Sequence, residues 1–155
     1  MKKIAITQRL IENTSYFEVR DCLDTNWTNL FKSLSIIPII LPTNYPIENF
    51  IDNGITIDGL ILSGGNDLNN FNPNNLSEIR DNYELKLIEF FVKNKIPILG
   101  LCRGMQLLSN YFGAKFEINK TDYQQTVLTH LNVNSSRLFL FLLMGLFAEL
   151  IIFYF

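Results

Sequence analysis

Apolar residues fall along this chain in two rhythms. Lys3-Ile4-Ala5-Ile6-Thr7, Ile36 to Leu41, Asp58-Gly59-Leu60-Ile61-Leu62 and Ile98-Leu99-Gly100-Leu101 are short, nearly continuous apolar runs. Runs of that length, closed by Pro42, Ser63 or glycine, read as strands buried on both faces. Between them the spacing lengthens. Trp27, Leu30, Phe31 and Leu34 recur at intervals of three and four, which predicts an amphipathic helix over Thr25 to Leu34. Tyr83, Leu87, Ile88 and Phe91 predict a second helix from Asp81 to Asn94, with Asp81 and Glu84 spaced as a capping box at its start. A third helix is predicted from about Gly104 to Phe112, ending at Gly113, a natural C′ residue. Asn69 to Asn75 contains Pro73 and reads as a loop, and Lys115 to Ile118 as a further strand.

Continuous apolar strands alternating with helices predict an α/β fold, a doubly wound and mostly parallel sheet. The texture changes after Arg137. From Leu138 to Phe155 only Gly145 and Glu149 are not hydrophobic. The expected organisation is therefore a core over 1–137 and an apolar tail over 138–155. Three readings of the tail compete: an out-of-frame ending, a membrane anchor, or a core helix. A run of this length reaches the lower limit for spanning a bilayer. Glu149 inside it argues against a bilayer centre, and the first reading is preferred.

Composition narrows the function classes. With 155 residues, 48% hydrophobic and 18% charged, the chain has material for one real core. A net charge of −2 and no basic block argue against nucleic acid as a partner. Two cysteines, Cys22 and Cys102, are too few for a secreted disulfide scaffold and fit a cytoplasmic chain with free thiols. The start, Met1 to Thr7, is too short in apolar residues for a signal peptide. His130 is the single histidine, so no zinc or other metal site is expected, and nothing calls for a cofactor.

The chemistry concentrates at Gly100-Leu101-Cys102-Arg103-Gly104, a predicted strand-to-helix junction. Serine hydrolases use the same geometry as a nucleophile elbow. Small residues on either side let strand and helix approach closely. The thiol then sits at a helix N-terminus, whose partial positive charge favours thiolate. The backbone N–H of Arg103 is free to meet a developing oxyanion. Gly-x-Cys-x-Gly alone is a weak pattern, equally compatible with an ordinary buried thiol.

Its surroundings carry more. Ile96 to Leu108, around Cys102, resembles the nucleophile segment of the γ-glutamyl hydrolase branch of class I glutamine amidotransferase-like proteins. Arg80-Asp81-Asn82-Tyr83-Glu84 is similar to that branch's Arg-Asp-x-x-Glu signature, and Asp58 to Asp67 to its Gly-Gly oxyanion loop. The resemblance covers roughly residues 3 to 133. It implies a flavodoxin-like fold, incomplete at the C-terminus, and a cysteine hydrolase acting on a small γ-glutamyl substrate. Cys102 would be the nucleophile, and backbone N–H groups of Gly65 and Arg103 the oxyanion hole. Gly64 and Gln106 would bind substrate. Arg80 and Asp81 are read as a helix cap and an ion pair, with no catalytic role, and Cys22 as a small apolar residue near the first helix.

The resemblance also implies a general base from a His-Pro-Glu segment, which these 155 residues do not contain. His130 looks like a structural strand histidine rather than that base. The expectation is a truncated copy with impaired turnover. The rivals are a glutamyl-binding remnant without catalysis and a membrane-tethered accessory protein.

Overall fold

A computed structural model describes the backbone of residues 1–118, 126–130, 139–145 and 148–154, and side chains through residue 114. Along the chain lie β1 (Lys3–Ile6), β2 (Arg9–Glu12), β3 (Val19–Cys22), α1 (Trp27–Ser33), β4 (Ile37–Ile40) and α2 (Ile47–Asp52). There follow β5 (Gly59–Leu62), α3 (Asn75–Lys93), β6 (Ile98–Leu101), α4 (Arg103–Tyr111), β7 (Lys115–Ile118), β8 (Thr126–His130), β9 (Phe139–Gly145) and β10 (Ala148–Tyr154).

The main sheet runs β4-β1-β5-β6-β10-β9. Its first four strands are mutually parallel, and β10 and β9 add to β6 in antiparallel fashion. In chain order the parallel strands lie second, first, third, fourth, which is the flavodoxin-like arrangement. The expected doubly wound α/β fold is what the chain forms. Pro38, paired with Ile4, is tolerated because β4 hydrogen-bonds to a neighbour on one side only among the described residues.

Strand alternation sorts the apolar runs onto two faces. Ala5, Leu60, Leu62 and Ile98 pack with Ile47, Leu87, Ile88, Phe91, Met105 and Leu108 from α2, α3 and α4. Ile6 and Ile61 turn the other way, against Phe31 and Trp27 of α1 and against Leu99 and Leu101. Continuous hydrophobicity in the strands is thus the signature of helices on both sides. Each fully buried Leu, Ile or Phe contributes about 1.5–3 kcal/mol.

Several boundaries differ from expectation. Helix α3 begins six residues earlier, where the side chain of Asn74 accepts a hydrogen bond from Ser77 N at 2.9 Å. Asp81 and Glu84 therefore sit inside the helix and do not cap it. The hairpin β2–β3 and the short α2 carry too little periodicity to announce themselves. Strand β7 forms where predicted but pairs with β8 in a separate ribbon. In the tail, β9 and β10 are strands, not a helix, with Leu150 to Phe153 in register with Leu101 to Ile98. A short apolar run is compatible with either structure, so its pattern could not decide. The boundary at 137/138 lies outside the described residues. No helix among the described residues is long and apolar enough to cross a membrane.

Candidate active site

The carboxyl ends of β5 and β6 lie side by side, and each leads into a turn that bears on the site. At the end of β6 the backbone turns sharply at Cys102, with φ 50° and ψ −112°, directly before α4. A non-glycine residue in such a region costs on the order of 1–3 kcal/mol and persists only where its surroundings impose it. Here two glycines do so. A Cβ at Gly104 would stand 2.2 Å from the carbonyl oxygen of Leu62, and one at Gly100 would stand 2.7 Å from the carbonyl oxygen of Gly104. Strands β5 and β6 and helix α4 therefore meet backbone to backbone, and the thiol of Cys102 is pushed out to an exposed position. Gln106, half-buried, closes the first turn through its N–H to Cys102 O at 3.1 Å.

The turn after β5 is built differently. A Cβ at Gly64 would meet Cys102 Cβ at 3.4 Å, ordinary contact, so this loop lies against the nucleophile candidate. Gly65 has φ +83° and Asn66 φ 59°. Polar bonds hold the loop from both sides. Ser63 N donates to Thr7 Oγ1 at 3.1 Å. Asn66 imitates a strand neighbour of Leu10, accepting from its N–H at 3.0 Å and donating to its carbonyl at 2.9 Å. From α3, Arg80 donates to Ser63 O at 2.7 Å, Gly64 O at 3.2 Å and Gly65 O. It also reaches Ser63 Oγ and Asn66 Oδ1, each at 3.1 Å.

Arg80 belongs to a buried charge network. Its Nε donates to Glu84 at 3.0 Å, one helical turn on. Glu84 also accepts from Arg103, the residue after Cys102, and Arg103 pairs with Asp81. Asp81 in turn accepts from Asn69 N at 2.8 Å. Arg80 and Arg103 are each 1% exposed and Glu84 is fully buried. Burial pulls the Arg80 guanidinium below the ordinary arginine range, and the Glu84 carboxylate opposes that fall. The ion-pair part of the sequence expectation is present. The loop contacts of Arg80 were not foreseen.

Outside the loop lies a cleft of about 220 Å³, lined by Ser63, Gly64 and Gly65 together with Arg9, Cys22, Asp24 and Trp27. It opens where β1 and β5 diverge, the switch point at which ligands enter such sheets. The stem of Arg9 packs over Gly65. Cys22 thus ends β3 beside this cleft, a partner of the hairpin rather than of α1 alone. Among the described residues no group of three or more His, Cys, Asp or Glu could hold a metal ion. His130 ends β8, opposite Lys115 of β7, and its side chain lies outside the described residues.

The structure therefore sets Gly64 against Cys102, with Gly65 next along the loop beneath Arg9, and Arg103 and Gln106 on the first turn of α4. The loop contacts of Arg80 and Asn66, and the cleft residue Arg9, escaped the sequence reading. The Arg-Asp-x-x-Glu spacing was the one available signal for Arg80.

A family model for peptidase C26 matches residues 4–138. The chain is 48% identical over 112 residues to a γ-glutamyl-CDP-amidate hydrolase of Campylobacter jejuni, covering 72% of this chain and 56% of the relative. It is 34% identical over 93 residues to a glutamine-hydrolysing GMP synthase of Chlamydia muridarum, covering 60% of this chain and 16% of the relative. A crystal structure of a glutamine amidotransferase from Thermotoga maritima superposes with a TM-score of 0.46 at 22% identity, covering 77% of this chain and 46% of the other. The chain spans about half the length of the first of these relatives, and less of the others.

Proposed function

The chain belongs to the peptidase C26 family, and from that premise we propose that Cys102 is the nucleophile of a γ-glutamyl amide hydrolase. The observation that carries this reading is the elbow: an exposed thiol at a strained backbone position, in contact with a Gly-Gly loop. The thiolate of Cys102 adds to the γ-carbonyl carbon of the glutamyl group. The N–H groups of Gly65 and Arg103 receive the oxyanion, and Gln106 holds the glutamate end. Collapse expels the amine, which takes up a proton, and leaves a γ-glutamyl thioester on sulfur. Water then releases glutamate and restores the thiol.

The finer reading follows the Campylobacter relative: the substrate is γ-glutamyl-CDP-amidate, in capsule phosphoramidate synthesis. Arg9 and Trp27 beside the loop suit an anionic leaving group that carries a base, the cation by charge and the indole by stacking. Hydrolysis of the thioester needs a base to activate water, and a placed side chain supplies roughly 10²–10⁴-fold. Without a His-Pro-Glu run, the 155 residues acylate faster than they deacylate. The test is glutamate release from γ-glutamyl-CDP-amidate and from γ-glutamyl p-nitroanilide, by the 155 residues and by a longer chain carrying the family's His-Pro-Glu segment. The longer chain should turn over far faster and prefer the nucleotide amidate. Equal turnover, silenced by His130→Ala, would make His130 the base instead. A preference for the anilide would reject the nucleotide leaving group.

A further inference from the structure

We propose that Arg80 is a positioning residue that fixes which way the peptide N–H groups of the Ser63–Asn66 loop point, and so sets the oxyanion hole. The inference rests on the hydrolase reading for its catalytic consequence, but its geometric content stands apart. Three consecutive carbonyls, those of Ser63, Gly64 and Gly65, converge on the one guanidinium. Among the described residues no peptide bond is cis. In a planar trans peptide the N–H points opposite to the C=O. Holding Ser63 O toward Arg80 therefore turns the N–H of Gly64 away from it. Holding Gly64 O does the same for Gly65, and holding Gly65 O does so for Asn66. Among the described residues the N–H groups of Gly64 and Gly65 have no hydrogen-bond partner. Gly64 lies against Cys102, so the free donors belong to the loop that borders the thiol.

A loop with glycine at two positions does not keep one peptide orientation unaided, because either peptide flips at little steric cost. The three bonds to Arg80 remove that freedom. Lysine cannot replace it, since one ammonium has no planar fork to span three carbonyls. The Arg80 guanidinium is itself held by Glu84, which also grips Arg103. One carboxylate therefore couples the loop to the residue that supplies the second proposed oxyanion donor.

The experiment compares wild type, Arg80→Lys and Asn66→Ala in the 155-residue chain. Two reactions at Cys102 are followed. Acylation by γ-glutamyl p-nitroanilide builds an oxyanion, whereas alkylation by iodoacetamide displaces iodide and builds none. With Arg80→Lys the maximal acylation rate should fall on the order of 10²–10³-fold, as for loss of an oxyanion-hole donor. Half-saturation and the alkylation rate should stay near wild type. Asn66→Ala keeps the Arg80–Glu84 pair and should show the same split more weakly, which covers the case in which Arg80→Lys fails to fold. In parallel, the amide resonances of Gly64 and Gly65 should shift in Arg80→Lys while that of Gly54 stays. Unchanged amide resonances, or acylation and alkylation falling by one common factor, would overturn the positioning role. If wild type is alkylated but never acylated, the hydrolase reading fails, and the amide resonances alone then decide the role of Arg80.

Discussion

Two neighbouring strand-to-helix turns reach the same place by opposite means. The turn after β6 takes its shape from what is left out: glycine at 100 and 104 lets three backbones touch, and Cys102 is forced outward. The turn after β5 takes its shape from what is put in. Arg80 and Thr7 bond its peptides one by one, and the Asn66 side chain ties it to the backbone of Leu10. The first device is steric and local, the second polar and distant, with its main anchor fifteen residues along the chain. A steric turn fails when volume is added. A bonded turn fails when a partner is removed. The difference predicts which substitutions each tolerates.

The largest effect belongs to the steric turn. Gly104→Ala puts a methyl group 2.2 Å from a strand carbonyl that cannot retreat without parting β5 from its neighbours. Overpacking ordinarily costs about 1–3 kcal/mol, and a clash with backbone should reach or exceed the top of that range in a urea melt. Gly64→Ala, whose Cβ would meet only ordinary contact at 3.4 Å, is the matched control and should cost far less. The bonded turn should break at Glu84. Glu84→Gln leaves two buried guanidinium groups with Asp81 as their remaining carboxylate, and loss of a buried partner costs about 3–5 kcal/mol. Calorimetry reads that loss. Alkylation of Cys102 in the molecules still folded should persist, because the elbow does not depend on Glu84. A smaller effect separates the two thiols. Cys102 is exposed on the steric turn, whereas Cys22 is half-buried in the cleft beside the bonded one. Iodoacetamide with peptide mapping should mark Cys102 severalfold faster, and equal labelling would erase the distinction.

The same difference decides what could be read from the sequence. The elbow was legible because glycine spacing and an apolar strand before it are local signals. So were the four parallel strands, whose uninterrupted hydrophobicity needs helices on both faces. The bonded turn was not legible. Arg80 and Asp81 looked like the start of a helix because Asp81 and Glu84 have capping-box spacing. The true cap, Asn74, lay hidden in an asparagine-rich loop where many residues could serve. That a guanidinium on α3 would turn back to three carbonyls is a tertiary fact with no periodic trace. The hairpin β2–β3 was missed for a related reason. Arg9-Leu10-Ile11-Glu12 offers two apolar residues in four, with only Leu10 buried, too little for either period. The tail read as a single apolar run, and the two-residue break between β9 and β10 carries no strong turn signal.

The proposed chemistry begins with attack of Cys102 on a γ-glutamyl carbonyl. Intact mass spectrometry with peptide mapping, after incubating the 155-residue chain with γ-glutamyl p-nitroanilide, tests it most directly. One glutamyl adduct per chain is expected, on the peptide containing Cys102. That adduct should outlast the release of nitroaniline and be absent from Cys102→Ala. An adduct on Cys22, or nitroaniline released equally fast by Cys102→Ala, would contradict it.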